Sequence, residues 1–512
     1  MLLLFCQATL RYQQLYMGIC MPRIAFCSPF NPVPSGISDY SEELLTHLWQ
    51  YTELVLYYNS DTPPTNPMLR EHFTLRPLRH LARDQRRRPF DGVLYHIGNS
   101  PAHSEIWHTA QRVPGVIVLH DLILHHFMLH YYATTLHNIR GYVAMMAQSY
   151  GEAGAQIAEL MIRGRFTDAA FDFACNVPVI TAARAMIVHS RYIQQHVAAV
   201  RPDLPLAVVP MGVPLPPAYP RAAARAAVGL PTDALVLASF GHINAYKRLE
   251  PTLRAVQQLR ASVPQLRYVL VGSVSPNYNI TGLIERLGLQ DIVQVTGYVE
   301  RAAFDAYVAA ADVCVNLRHP TAGETSASLL RLLGAGRATL VSRTGAFAEL
   351  PPHVAVQIDT DDSESEQILA ALHLLISRPE LAASIGAHAR AYVSTQHTLA
   401  QAAAGYARRL AGWYGWQQVV RLRPPLPLPT ALALPHATAA MPPLSLPPPA
   451  ALAPTAPPPP VAAARILRED RLLQTAAQAL AELGIQPHDT QLVPRVAQAL
   501  DSLITIHPQE FL

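Results

Sequence analysis

Apolar residues along this chain gather in short, nearly unbroken runs rather than in strict alternation with polar ones. In the first part these runs are Arg23–Cys27 (RIAFC), Leu54–Tyr58, Gly92–His96 (GVLYH), Gly115–Leu119 (GVIVL), Ala185–His189 (AMIVH) and Ala207–Pro210 (AVVP). Runs of this length, bounded by Gly, Pro or Ser, are the signature of strands buried on both faces, which is the situation in a parallel sheet. Between them the period changes to that of a helix: ISDYSEELLTHLWQY follows the first run, a helix is expected near Ser104–Gln111, and a long His-rich helical stretch from Asp121 to about Gly164.

The alternation restarts at Leu235–Ser239 (LVLAS) and continues through Leu266–Val271, Ile292–Val295, Val313–Leu317, Ala338–Val341 and Val354–Ile358. Helices are expected up to Leu259, over TGLIERLGL, over Phe304–Ala311 and around Leu329, Leu330, Leu332 and Leu333. The prediction is an α/β chain with two doubly wound domains, residues 21–220 and 221–395, and a helix in 396–418. Residues 1–20 read as a loose extension. From 419 to 464 the sequence is Pro, Ala and Leu with no charged residue beyond Arg421 and Arg423, a linker composition. Residues 465–512 read as a helical pair, Ile466–Leu483 and Leu492–Ile504, that needs a partner, another copy or the main body to cover its apolar side.

Composition narrows the function classes. The 39 basic and 36 acidic residues leave a net charge of only +3, so nucleic acid is not the expected partner. The five cysteines stand at Cys6, Cys20, Cys27, Cys175 and Cys314, without metal-ligand spacing, which points to reduced thiols and no structural zinc. No stretch reaches the roughly 20 apolar residues of a membrane helix. The expected location is cytoplasmic, with a peripheral contact at the inner membrane face, or a protein contact, left open through the terminal helices.

Strand-to-helix loops carry the candidate chemistry, because ligands of such sheets sit at the carboxyl ends of the strands. The loop SPFNPVPSG holds Gly36. GVIVL ends in His120–Asp121, with Asp121 read as orienting or structural. FGHINAYKR holds Gly241, His242, Lys247 and Arg248, where two cations either solvate a helix start or clamp a diphosphate. HPTAGETSAS offers Gly323, Glu324, Thr325 and Ser326 at a helix start whose free N–H groups suit an anion. His125, His126 and His130 are better read as surface packing than as a metal face, since no HExxH and no nearby Cys accompanies them.

Four stretches taken together, PVPSGISDYSEELL, YHIGNSPAHSEIW with PGVIVLHDLILHHF, FGHINAYKR, and HPTAGETSASLLRLLGAGRATLVS, resemble the glycosyltransferase family 4 type of retaining, nucleotide-sugar-dependent enzymes. The resemblance covers about residues 22–415 and implies the GT-B fold, two Rossmann-like domains facing across a cleft, with a terminal helix at Arg390–Tyr414, containing HTLAQAAAGYARRLAGWY, crossing back onto the first. It implies transfer of a hexose from a nucleotide diphosphate sugar, as co-substrate, to a hydroxyl acceptor (glycan, lipid-linked or small molecule), with no cofactor. By this likeness Gly36 lies beside the donor diphosphate, His120 contacts the transferred sugar, Lys247 binds the diphosphate and Glu324 holds sugar hydroxyls. His120, Lys247 and Glu324 are thus the catalytic candidates. Gly36, Gly241, His242, Arg248, Gly323, Thr325 and Ser326 complete the expected substrate site. The loops Gly272–Asn279 and Thr296–Val299 are expected to meet the base, and Asn99–His103 with His125–His130 the acceptor.

Two departures stand out. His242 occupies the place of a usual basic residue, for which Arg248 is the expected substitute, and Arg331 stands where a second glutamate would contact the ribose. With no convincing DxD motif, the adjacent Asp361–Asp362 being read as a helix start, metal independence is expected. Same-face attack, with the leaving phosphate accepting the acceptor's proton, needs no visible base. The alternatives are a GT-B-fold sugar-nucleotide epimerase and a non-catalytic nucleotide-sugar-binding protein.

Overall fold

The computed structural model describes residues 21–427 apart from 166, 218 and 417–418. The expected extension 1–20, most of the linker and the helical pair 465–512 lie outside the described residues.

Strands β1 (Arg23–Cys27), β2 (Glu53–Tyr58), β3 (Thr74–Pro77), β4 (Gly92–Ile97), β5 (Val116–Leu119), β6 (Ala185–Val188) and β7 (Leu206–Val208) form one sheet in the order β3-β2-β1-β4-β5-β6-β7. A second sheet holds β8 (Leu235–Phe240), β9 (Leu266–Val271), β10 (Val293–Val295), β11 (Val313–Asn316), β12 (Ala338–Ser342) and β13 (Val356–Ile358) in the order β10-β9-β8-β11-β12-β13. Every ladder between these strands is parallel. The central strands β4, β5, β6, β11 and β12 are buried at every position, which explains why they read as continuous apolar runs. In each sheet the chain order reverses beside the first strand, so the crevices at β1/β4 and β8/β11 are where a ligand is expected.

The helices that position the site are α1 (Gly36–Leu48), α2 (Leu249–Arg260), α3 (Ala327–Gly334), α4 (Glu364–Ser377), α5 (Pro379–Gln396) and α6 (Leu399–Tyr414). Ser35 caps α1 by accepting the Ile37 N–H, and Ser326 caps α3 by accepting the Leu329 N–H. The single helix expected at Arg390–Tyr414 is two helices: α5 ends at Gln396, and Thr398 with Gln401 starts α6 through a capping box. Helix α6 does cross back onto the first lobe, where Ala402, Ala403, Tyr406, Ala407 and Leu410 share one core with Tyr40, Leu44 and Leu48 of α1. Tyr40 donates to the Tyr406 hydroxyl at 3.2 Å. The start of the expected linker follows suit: the Leu422 and Leu426 amides donate to Gln50 and Thr46 carbonyls, the Trp49 indole donates to the Pro424 carbonyl, and Leu426 is buried.

The long helix expected from Asp121 to Gly164 is also broken. His125–His130 is a short helix followed by a π-helical turn, Tyr131–Thr135. Residues Asn138–Ala169 belong to a compact unit of their own, whose helix Ile139–Ile162 is interrupted at Gly151 by a non-helical φ/ψ of 70°/−157°. Among the described residues no single helix is long and apolar enough to cross a membrane, although the bent pair of α4 and α5 passes that test jointly.

Candidate active site

Beyond β8 the chain turns sharply. Gly241 adopts φ +93°, and a Cβ there would stand 3.2 Å from the Lys247 Nζ. The loop after β9 leans on it, since a Cβ on Gly272 would meet the Gly241 carbonyl oxygen at 2.2 Å. Lys247 ends a single 3-10 turn and folds back, donating from Nζ to the Phe240 carbonyl at 2.6 Å. Burial, and secondarily the charge of Arg318, hold its pKa well below the ordinary lysine value. The His242 ring lies at the exposed rim, with Nδ1 3.0 Å from the Ser273 hydroxyl. Arg248 does not take the expected role: in a left-handed conformation (φ 53°) at the start of α2, its guanidinium is bound at 3.0 and 2.9 Å to Glu364 of α4. That buried carboxylate claims it.

After β11 comes Arg318, whose backbone N–H donates to the Ser342 hydroxyl at 2.8 Å and whose guanidinium pairs with Glu324. Thr321 donates to the other side of the Glu324 carboxylate at 3.1 Å and accepts the Gly323 N–H at 3.0 Å, which fixes the loop. The Ala322 carbonyl accepts the Leu122 and Ile123 amides of the first lobe at 2.8 and 3.0 Å. Gly323 has φ +78°, and a Cβ on it would lie 2.7 Å from the Leu122 Cβ. The opposite lobe thus approaches the backbone closely at Gly323. Ser326 is occupied as the α3 cap, and the buried Thr325 hydroxyl has no hydrogen-bond partner among the described residues.

On the first lobe, His120 lies in a buried cluster. Its Nε2 is 2.9 Å from His96 Nδ1, its ring meets Tyr40 edge-on at 5.5 Å, and His189 lies 4.9 Å away. Its Nδ1 has no hydrogen-bond partner among the described residues. Burial, then the neighbouring imidazoles His189, His96 and His103, push its pKa well down, so the ring is neutral and suited to hydrogen-bonding a hydroxyl rather than to delivering a proton. Asp121 accepts the Asn99 N–H at 2.7 Å; burial raises its pKa to about 6 against the opposing pull of that bond and of Arg318. Its carboxylate thus holds the backbone at Asn99. Gly36 opens α1 with nothing within 4 Å of where its Cβ would be.

The two lobes enclose a cavity of about 360 Å³. Asn99, His126 and Phe171 line it from one side; Gly241, His242, Asn244, Tyr246, Lys247, Arg318, Glu324 and Ser328 line it from the other. Of the expected site residues it therefore collects Gly241, His242, Lys247 and Glu324. Gly36, His120, Arg248, Gly323, Thr325 and Ser326 are not in its lining. The sequence reading missed Arg318, Tyr246, Phe171 and Ser328. Phe171 and Tyr246 meet edge-on at 4.7 Å across the cleft. Arg318, one residue before the HPTAGE motif, could have been flagged as the strand-end residue facing Lys247 across the β8/β11 crevice. Arg331 is committed elsewhere: it binds Glu43 of α1 at 2.8 and 2.9 Å, and Arg301 binds the same carboxylate at 3.0 Å, so a partly buried ion cluster joins the lobes where a ribose contact was in question.

This architecture is the GT-B fold of glycosyltransferases. Residues 220–392 match the family model described as Glycosyl transferases group 1. Among solved structures, sucrose-phosphate synthase from Thermosynechococcus elongatus superposes with a TM-score of 0.57 at 17% identity, covering 77% of this chain and 99% of that one. The Anabaena protein HepE in complex with UDP-glucose gives 0.55 at 16% identity, covering 76% and 100%. Among curated proteins, a D-inositol 3-phosphate glycosyltransferase of Kineococcus radiotolerans is 36% identical over 118 residues, 21% of this chain and 27% of the relative. That of Streptomyces avermitilis is 40% identical over 102 residues, 19% and 22%. The chain thus spans about a quarter of the length of the curated relatives it matches.

Proposed function

We propose that this chain transfers a glycosyl group, a hexose, from a nucleotide diphosphate sugar to a hydroxyl acceptor, with retained configuration and without a metal ion, in the manner of the family 4 enzymes it resembles. The observation that carries the reading is the convergence of Lys247, Arg318 and Glu324 in one cavity at the ends of β8 and β11, within the stretch that matches the glycosyltransferase model. Glycosyl transfer makes the diphosphate more negative as the sugar becomes cationic, so catalysis asks for fixed positive charge on one side and hydroxyl-binding groups on the other. Lys247 answers the first need and Glu324 the second. Retention would follow if the departing phosphate takes the acceptor's proton on the face it leaves, which asks no general base of the protein.

The test is incubation with UDP-, GDP- and ADP-sugars and a range of sugar, cyclitol and lipid-linked acceptors, following nucleotide release and the anomeric configuration of the product, with and without a chelator. Acceptor-dependent release that survives chelation is expected. Lys247→Ala should lower turnover by about two to three orders of magnitude, the usual loss on removing a preorganised charge stabiliser. Inverted product, epimerised donor, or binding with no turnover across the panel would each overturn the reading.

A further inference from the structure

We propose that Arg318 is the second phosphate-binding cation of this site, gripping with Lys247 the diphosphate of the donor; the inference rests on the donor reading above. A diphosphate is best held by more than one positive group, and an arginine fork matches two phosphate oxygens where a lysine offers a point charge. The candidates named by sequence for the second cation were His242 and Arg248. Arg248 is bound through two contacts to Glu364 and is outside the cavity lining, and the His242 ring is turned to Ser273 at the exposed rim.

Arg318 meets the requirement by position. It enters the cavity that holds Lys247, from the strand next to the one that ends at Phe240. Its place is set by the bond from its backbone N–H to Ser342, by the Phe347 ring lying 5.6 Å beneath its guanidinium and by the ion pair with Glu324. A guanidinium has five N–H donors, so the pair with Glu324 leaves several for a ligand. The charges point the same way. Two cations share a cavity in which, among the described residues, Glu324 is the one lining carboxylate. Burial displaces both cations: Lys247 downward, with Arg318 adding to the effect, and Arg318 down to about 10 with Asp121 opposing. Such a cavity is short of negative charge, and a diphosphate supplies it.

The experiment is calorimetric titration of the full chain with UDP, GDP and ADP, and with the matching nucleoside of whichever diphosphate binds. The proteins compared are the parent, Arg318→Gln, Arg318→Lys and Arg248→Gln, each checked for a cooperative melt. Arg318→Gln should weaken the nucleoside diphosphate by about 10- to 100-fold, the range for a lost charge-assisted contact, while nucleoside affinity stays within about threefold. Arg318→Lys keeps the charge without the fork and should lose about 3- to 10-fold for the diphosphate alone, which serves as the test even if the Gln variant does not fold. Equal loss for nucleoside and diphosphate, no loss in either, or transfer of the diphosphate-specific loss to Arg248→Gln overturns the assignment of Arg318 while leaving the donor reading intact. A parent protein that binds none of the nucleotides removes both.

Discussion

His96, His103, His120 and His189 are all buried, and each is held below the ordinary imidazole range chiefly by desolvation, His103 and His189 down to about 4. For a base whose folded pKa is depressed, the unfolded chain takes up the proton first. The stability these four residues confer is therefore complete above about pH 6.5 and is lost as the pH falls from there, at about 1.4 kcal/mol per pH unit for each. Asp121 works the other way: with its folded pKa raised to about 6 from the ordinary 3.8, its contribution is present at low pH and lost as the pH rises through that window. The lowered imidazoles, His125, His126 and His397 among them, outnumber the raised carboxylates Asp121 and Glu42, so unfolding takes up protons on balance. The melting temperature should thus fall steadily between pH 7 and pH 5, and a flat profile over that range would contradict the buried, neutral cluster. At this same scale lies the limit of sequence reading. Lys247 and Glu324 were found because each sits in a Gly-rich loop after an apolar run, whereas the partner that takes Arg248 away, Glu364, is 116 residues distant and no local pattern links them. Arg318 does have a local mark, its place at the end of the run Val313–Leu317, but its meeting with Lys247 comes from the neighbouring of β11 with β8, which no local pattern shows.

Among the elements, the strands legible in the sequence were those that carry an apolar run, whether buried throughout as in β5 and β6 or only half-buried as in β10 and β13. The one that escaped, β3, is a four-residue edge strand, TLRP, with alternating exposed and half-buried positions; its identity comes from main-chain pairing with β2 and not from an apolar run. The division between α5 and α6 escaped because both sides of the break keep helical periodicity and only the Thr398 and Gln401 cap marks it. The loop from β11 to α3 was legible in its chemistry but not in its packing, since Gly323 serves the contact with Leu122. Gly323→Ala should therefore cost about 1–3 kcal/mol through its positive φ and the steric conflict together. Adding Leu122→Gly, which removes the Cβ that a side chain at 323 would meet, should recover part of the steric share, so the double variant should be more stable than the sum of the single losses. Strict additivity in thermal or denaturant melts would show that Gly323 answers to backbone conformation alone.

For the whole molecule, the described chain extends past α6 to a segment laid along α1. Cutting after residue 427 should leave donor turnover near that of the full chain, because the cleft is built from residues before that point. A cut after residue 418 removes Leu426 and the bonds to Thr46, Trp49 and Gln50, and should lower the melting temperature by roughly 5 °C, given a loss of about 2–3 kcal/mol in apolar burial and hydrogen bonds. Equal melting of the two truncations would mean that the segment only lies against the lobe without holding it.

The return of α6 to α1 also sets an order of events during synthesis. The second lobe, 221–395, is continuous in sequence and can close as it emerges, but the first lobe lacks Tyr406, Leu410 and Leu426 until the second has been made. At about 5–20 residues per second, the roughly 200 residues between Pro220 and Leu426 leave the apolar flank of α1 uncovered for about 10–40 s on the ribosome. Of the two lobes, the first is in this sense made first and completed second. A fragment spanning 21–220 should consequently expose that flank and aggregate, and supplying 396–427 as a separate chain should recover soluble material if the late arrival of α6 is what leaves the flank bare.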